Sequence, residues 1–254
     1  MVTHSEHPTQ PSEQLPKSIR GLLDTPYASY LNLDAVFDIQ VAGTEGAVLH
    51  HPEEVLFRSV HLSSELWLRL SGYEIERARD ALGIELIVHA TRLITRARMS
   101  VERVLEGTRL LETMPAADYH QFRVHFGGAS GLQSPGYAYV RRECRSLSTT
   151  LDGIIGDDDM LFVLYATSAG RMRPEYDLCE SLVDLDATLD RFRSLHLQIA
   201  ERFLGESTQG TGGQGVGYLR QNMGLRLFPR LWSLREHLAS ESGAVSYGYG
   251  TPTT

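Results

Sequence analysis

The segment 175–204 constrains the fold most. Leu178, Leu182, Leu185, Leu189, Phe192, His196, Ile199 and Phe203 recur at alternating steps of four and three. That spacing places them on one stripe of a single long helix, apolar at every position except His196. The same period runs through 52–82, 84–114 and 135–155, and none of these stretches alternates every second residue as a strand does. Only MLFVLYA, 160–166, is ambiguous, compatible with a short strand or a buried helix. The expected fold class is all-α, a helical bundle. At 254 residues the chain can bury a substantial core in one domain. That domain is placed at 18–242. Residues 1–17, polar with three prolines, are expected to be a disordered tail, and 243–254 a flexible one.

Charge and composition narrow the functional classes. A net charge of -8 argues against a nucleic-acid binder, which presents a basic face. No apolar run approaches the roughly 18 residues of a membrane span, and the start lacks a basic-then-apolar signal pattern. Cys144 and Cys179 form no CxxC pair, so two reduced thiols in a cytoplasmic protein are expected.

Two glycine-rich stretches interrupt the helical pattern, FGGASGLQSPG (126–136) and QGTGGQGVG (209–217). Glycine costs about 1 kcal/mol per residue inside a helix, so both are loops. They are either flexible turns or backbone wrapped closely around a ligand. The second lacks the GK[ST] ending of a phosphate loop, and no strand precedes it.

Two histidines raise the question of chemistry. His196 interrupts an apolar seam, where an imidazole without partners costs on the order of 1–3 kcal/mol. It is either a core histidine bonded to a backbone carbonyl or a metal ligand whose second nitrogen is held by another group. His61 follows Phe57 by one turn and lies beside a polar stripe of Glu54, Arg58, Glu65, Arg69 and Glu76. There is no HExxH and no clustered Cys/His set, which argues against zinc. Two isolated histidines on two helices are permitted in a heme site, because heme needs one axial side chain and an apolar slot.

The residues reached so far carry a resemblance. Four blocks occur in order: YASYLNLD (27–34), HHPEEVLFRSVHLSSELW (50–67), DYHQFRVHFGGASGLQS (118–134) and HLQIAERFLGESTQGTGGQGVGYLR (196–220), the last running on to LFPRLW (227–232). In these the chain resembles the tryptophan 2,3-dioxygenase superfamily of histidine-ligated heme oxygenases acting on aromatic amino acids. The resemblance implies heme b with His196 as its iron ligand, and Ser130, Gly131 and Trp67 around the cofactor. It implies that His61 is the catalytic histidine on the open face, with Phe57 packed on the substrate ring and Tyr119 lining the same pocket. Arg123 would clamp the substrate carboxylate, for which a guanidinium fork is suited. Thr211 would bind the amino-acid end from a lid loop. Tyr27 and Tyr30 match positions that reach into a neighbouring subunit, which implies a homo-oligomer, a dimer or a tetramer.

Departures from the family pattern shape the expected activity. Between ASGLQS and His196 the chain is shorter than the usual dioxygenases, Leu62 stands where a glutamine follows the distal histidine, and ESTQ precedes GTGG. These features resemble compact relatives from natural-product pathways, among them heme-dependent tyrosine hydroxylases that use hydrogen peroxide. The first expectation is 3-hydroxylation of L-tyrosine to L-DOPA. The alternative is oxygenation of L-tryptophan or a substituted tryptophan with O2. A heme carrier or sensor is the non-catalytic alternative, against which an amino-acid clamp at Arg123 and Thr211 argues.

Overall fold

A computed structural model describes residues 22–42, 49–126, 128, 131–205, 216–221 and 223–241. The elements are α1 (Pro26–Leu31), α2 (Leu33–Ala42), α3 (Glu53–Leu82), α4 (Ile87–Arg109), α5 (Ala116–Arg123), α6 (Pro135–Ile155), α7 (Asp158–Ala166), α8 (Ser168–Arg171), α9 (Pro174–Leu204), α10 (Val216–Gln221) and α11 (Pro229–Glu241). Short 3₁₀ turns occur at Leu110–Thr113 and Gly131–Gln133. No strand occurs among the described residues, so the all-α expectation holds. The expected tails at 1–17 and 243–254 lie outside the described residues.

Four long helices make the frame. α3 packs along both α4 and α6, and α4 packs along α9. The run MLFVLYA is helical, within α7, and Asp157 starts that helix by accepting the Met160 N–H at 2.9 Å. The expected helix over 84–114 stops at Arg109 and tightens into the 3₁₀ turn that follows. None of these helices is long and apolar enough to cross a membrane. Cys144 and Cys179 are buried free thiols, and burial pushes the Cys179 thiol up to about 12.

The apolar side chains form two clusters rather than one. The larger is mostly aliphatic and takes Leu68, Ile75, Ala78 and Leu82 from α3, and Leu178, Leu182, Leu185 and Leu189 from α9. The smaller takes Val60 of α3, Tyr119 and Phe122 of α5, and Ile199 and Phe203 of α9. The stripe read from 175–204 is therefore one helical face serving two clusters, and His196 sits where it passes from one to the other. On α3, His61 likewise stands between Val60 of the small cluster and Leu68 of the large one.

The polar stripe of α3 is turned largely inward. Glu54 is buried and paired with Arg58 at 2.6 Å. Glu65 and Glu76 both bond to α6, Glu65 through Ser134 and Gly136, Glu76 through the Tyr139 hydroxyl. The segment after α10 is anchored by buried Asp186, whose Oδ2 accepts the Leu227 N–H and the Trp232 indole N–H, each at 2.9 Å.

Candidate active site

Three helices bring the site together, beginning with α3. Its residues Phe57 and His61 are one turn apart, and their rings lie 4.0 Å apart between centroids. The Phe57 carbonyl approaches His61 Nδ1 at 2.7 Å. A carbonyl only accepts, so the proton is on Nδ1 and the Nε2 lone pair is left open. Burial lowers the pKa of His61, against smaller opposing contributions from that carbonyl bond and from Glu65. The ring is thus a neutral acceptor at neutral pH.

From α5 come Tyr119, Phe122 and Arg123. The Arg123 guanidinium lies over the Tyr119 ring, 5.9 Å from its centroid. Burial raises the Tyr119 pKa, and nearby Arg123 partly offsets this. Phe126, just past α5, stacks on Phe57 at 5.1 Å, and Phe122 meets Phe57 edge-on at 5.6 Å. Phe203 of α9 closes the set, its ring nearly parallel to Tyr119 at 4.6 Å.

His196 comes from α9, with Phe192 stacked 6.1 Å away. Burial holds its pKa down at about 4, and His61 adds a smaller push in the same direction. The two imidazoles therefore lie within electrostatic reach of each other. Gly131, at the start of a 3₁₀ turn, faces the same ring, for an added Cβ would stand 3.4 Å from Nε2 and 3.5 Å from Cε1. A larger residue there would crowd that edge of the ring.

The donor set suits heme. The His196 ring is a neutral imidazole that makes no hydrogen bond to another described residue, so a lone pair is available on an otherwise apolar seam. Among the described residues no group of three or more His, Cys, Asp or Glu is placed to hold a bare ion. Heme brings its other donors with it and asks the protein for one axial side chain.

The expected site residues divide clearly. Phe57, His61, Tyr119, Arg123, Gly131 and His196 belong to this one region. Trp67 is 39% exposed on α3 and makes no ring contact with the pocket residues. Tyr27 and Tyr30 are exposed on α1 at 69% and 87%, and neither joins the aromatic set of its own chain. Ser130 and Thr211 lie outside the described residues. The sequence reading did not place Phe122, Phe126 and Phe203 in the pocket. Their signal was available, since 119, 122 and 126 follow helical spacing and Phe203 lies two turns past His196 on the same face.

Comparison with known proteins agrees with this geometry. A family model described as tryptophan 2,3-dioxygenase matches residues 17–148 and 138–238. The chain is 28% identical to the tryptophan 2,3-dioxygenase of Ruegeria sp. (strain TM1040), over 84% of this chain and 92% of that one. It is 27% identical to the enzyme of that name from Pseudomonas fluorescens, over 84% and 90%, and 29% identical to that of Erythrobacter litoralis (strain HTCC2594), over 84% and 98%. The Ruegeria alignment runs to 274 positions against the 254 residues of this chain, so this chain lacks segments that the relative carries. The family match divides at 138–148, between ASGLQS and His196, where the sequence reading located the shortening. With nearly all of its described residues inside that match, the chain belongs to the tryptophan 2,3-dioxygenase family and is a heme-dependent oxygenase.

Proposed function

We propose that the chain oxygenates the indole ring of L-tryptophan or a substituted L-tryptophan, inserting both atoms of O2 at the 2,3 bond. The observation that carries this reading is the tautomer of His61. Its Nδ1–H is committed to the Phe57 carbonyl, so Nε2 offers an acceptor inside a box of aromatic rings. An indole N–H is the matching donor. A phenol O–H could donate to the same nitrogen, and it is the relatives' names that favour indole over the phenol expected first from the sequence.

Each residue then has a role. His196 holds the heme, which when bound supplies the activation of dioxygen. Phe57 and Phe126 pack on the substrate ring and exclude water from it. Tyr119, stacked on Phe203, lines the same pocket. Arg123 grips the carboxylate, and Thr211, outside the described residues, would bind the amino-acid end. His61 orients the ring through Nε2. Inserting both oxygen atoms requires no net proton or electron from the protein, so a neutral orienting histidine is sufficient for this reaction.

A second reading is kept by one observation, the shortening between ASGLQS and His196. It is 3-hydroxylation of L-tyrosine with hydrogen peroxide, in which His61 would have to carry a proton between the two peroxide oxygens. Product mass separates the two. Holoprotein is offered both amino acids, with O2 and reductant in one vessel and peroxide in another. Tryptophan gaining two oxygen atoms is the expected result. Tyrosine gaining one would replace the reading by its alternative.

A further inference from the structure

One carboxylate near the two histidines takes no part in the chemistry above, yet the backbone is built around it. Glu65 follows His61 by one turn of α3. Its Oε1 accepts the Ser134 hydroxyl, and its Oε2 accepts the Gly136 N–H at 2.9 Å. Ser134 is the N-cap of α6, accepting the Tyr137 N–H at 3.0 Å. A Cβ on Gly136 would stand 2.7 Å from Glu65 Oε2 and 2.8 Å from the Leu68 Cβ, so glycine is what lets the carboxylate reach the backbone.

This clamp ends where the ligand face begins. Ser134 directly follows the turn Gly131–Gln133, and its N–H donates to the Gly131 carbonyl at 3.2 Å. Gly131 in turn faces the Nε2–Cε1 edge of His196. A continuous path therefore runs from α3, one turn past His61, through Glu65 and Ser134 to the backbone beside the iron ligand. A charged acceptor held by two donors at a helix N-terminus is a stiff link.

We propose that Glu65 is a positioning residue for the heme site, pinning the Gly131 turn against His196 and tying it to the helix that bears His61. It touches neither cofactor nor substrate. The inference rests on the family reading for the identity of the cofactor, and on nothing about the substrate.

The structure supplies its own control. Glu76 lies three turns further along α3 and also bonds to α6, through the Tyr139 hydroxyl, away from both histidines. A merely structural role for Glu65 would make the two carboxylates equivalent. The test is the rate at which ferric heme leaves the holoprotein for excess apomyoglobin, with the heme spectrum and the melting temperature recorded alongside. Glu65→Ala is expected to speed heme loss by about tenfold or more and to alter the ferric spectrum, the scale seen when groups supporting a metal ligand are removed. Glu65→Gln and Ser134→Ala each keep part of the clamp and are expected to fall between wild type and Glu65→Ala. These two milder variants carry the test if Glu65→Ala does not fold. Glu76→Gln is expected to lower the melting temperature and leave heme loss within about twofold of wild type, as no link joins it to His196. Equal heme loss in the Glu65 and Glu76 variants, or unchanged heme loss in the Glu65 and Ser134 variants, overturns the proposal. Tryptophan turnover is measured separately. If wild type ignores tryptophan while the Glu65 variants shed heme quickly, the substrate reading fails and the positioning role stands.

Discussion

The two apolar clusters share α3 and α9 but are built of different material. The large one is close-packed aliphatic side chains, with Ile75, Leu182, Leu185 and Leu189 sealed from solvent. The small one gathers rings among its aliphatic members: Tyr119, Phe122 and Phe203 are buried beside Val60, Leu111, Met114 and Ile199, and Phe57 and Phe126 are only partly buried. Aliphatic side chains interdigitate and leave no room. Rings meeting at centroid distances of 4.6–6.1 Å, in stacked and edge-on arrangements, form flat walls against which another ring fits. The first cluster holds the long helices side by side. The second, carried on their ends, sets aromatic faces beside His61. His61 and His196 stand at the junction on either helix, between the two clusters.

Substitutions separate the two roles. The largest expected effect is at the junction, where His196→Ala is expected to abolish stoichiometric heme while the helical circular dichroism stays close to wild type, since the His196 ring makes no hydrogen bond to another described residue. Retention of stoichiometric heme would refute the ligand assignment. Next is the aliphatic cluster. Leu185→Ala is expected to cost about 2–5 kcal/mol of stability by leaving a cavity, read by denaturant unfolding, with the substrate KM unchanged. Arg123→Ala is expected to do the reverse, raising KM by about ten- to a hundredfold through loss of a charge-assisted carboxylate contact, with stability nearly unchanged. Saturation at the wild-type concentration would remove the clamp role.

The smallest expected effect is on pH dependence. The folded-state pKa values of His61 and His196 both lie below the ordinary histidine value of 6.5, that of His196 at about 4. The unfolded chain therefore binds more protons once the pH drops through 6.5, and the folded state loses stability progressively toward 4. In heme-free protein the melting temperature is expected to be level above about pH 7 and to fall below it, less steeply in His196→Leu. A curve that rises on acidification would contradict the burial of these rings.

Much of this division is legible in the sequence, and the remainder fails for physical reasons. α6 has the bounds read from the 3.6-residue period and α9 begins at 174, one residue before the expected 175, because an apolar stripe is a local property of one helix. The run MLFVLYA stayed ambiguous because seven apolar residues fit either period, and only the Asp157 cap and the neighbouring helices decide it. Glu65 and Glu76 read as part of a polar stripe, and polarity alone does not reveal a serine, a backbone N–H or a tyrosine on another helix waiting to bond. His61 and His196 were singled out because each breaks a pattern. Phe122, Phe126 and Phe203 break none, since an aromatic residue on an apolar face is also what a plain core requires. Tyr27 and Tyr30 carry no local signal of a place in this pocket, and in the single chain they stand outside it.

The division of labour between the two clusters is tested most directly by titrating ferric holoprotein with L-tryptophan and following the heme absorbance in wild type, Phe203→Ala and Leu185→Ala. Wild type is expected to shift saturably, Phe203→Ala to bind about tenfold more weakly through loss of the wall behind Tyr119, and Leu185→Ala to bind as wild type does. No shift in wild type, or equal weakening in both variants, would contradict a ring-binding pocket carried on a separate frame.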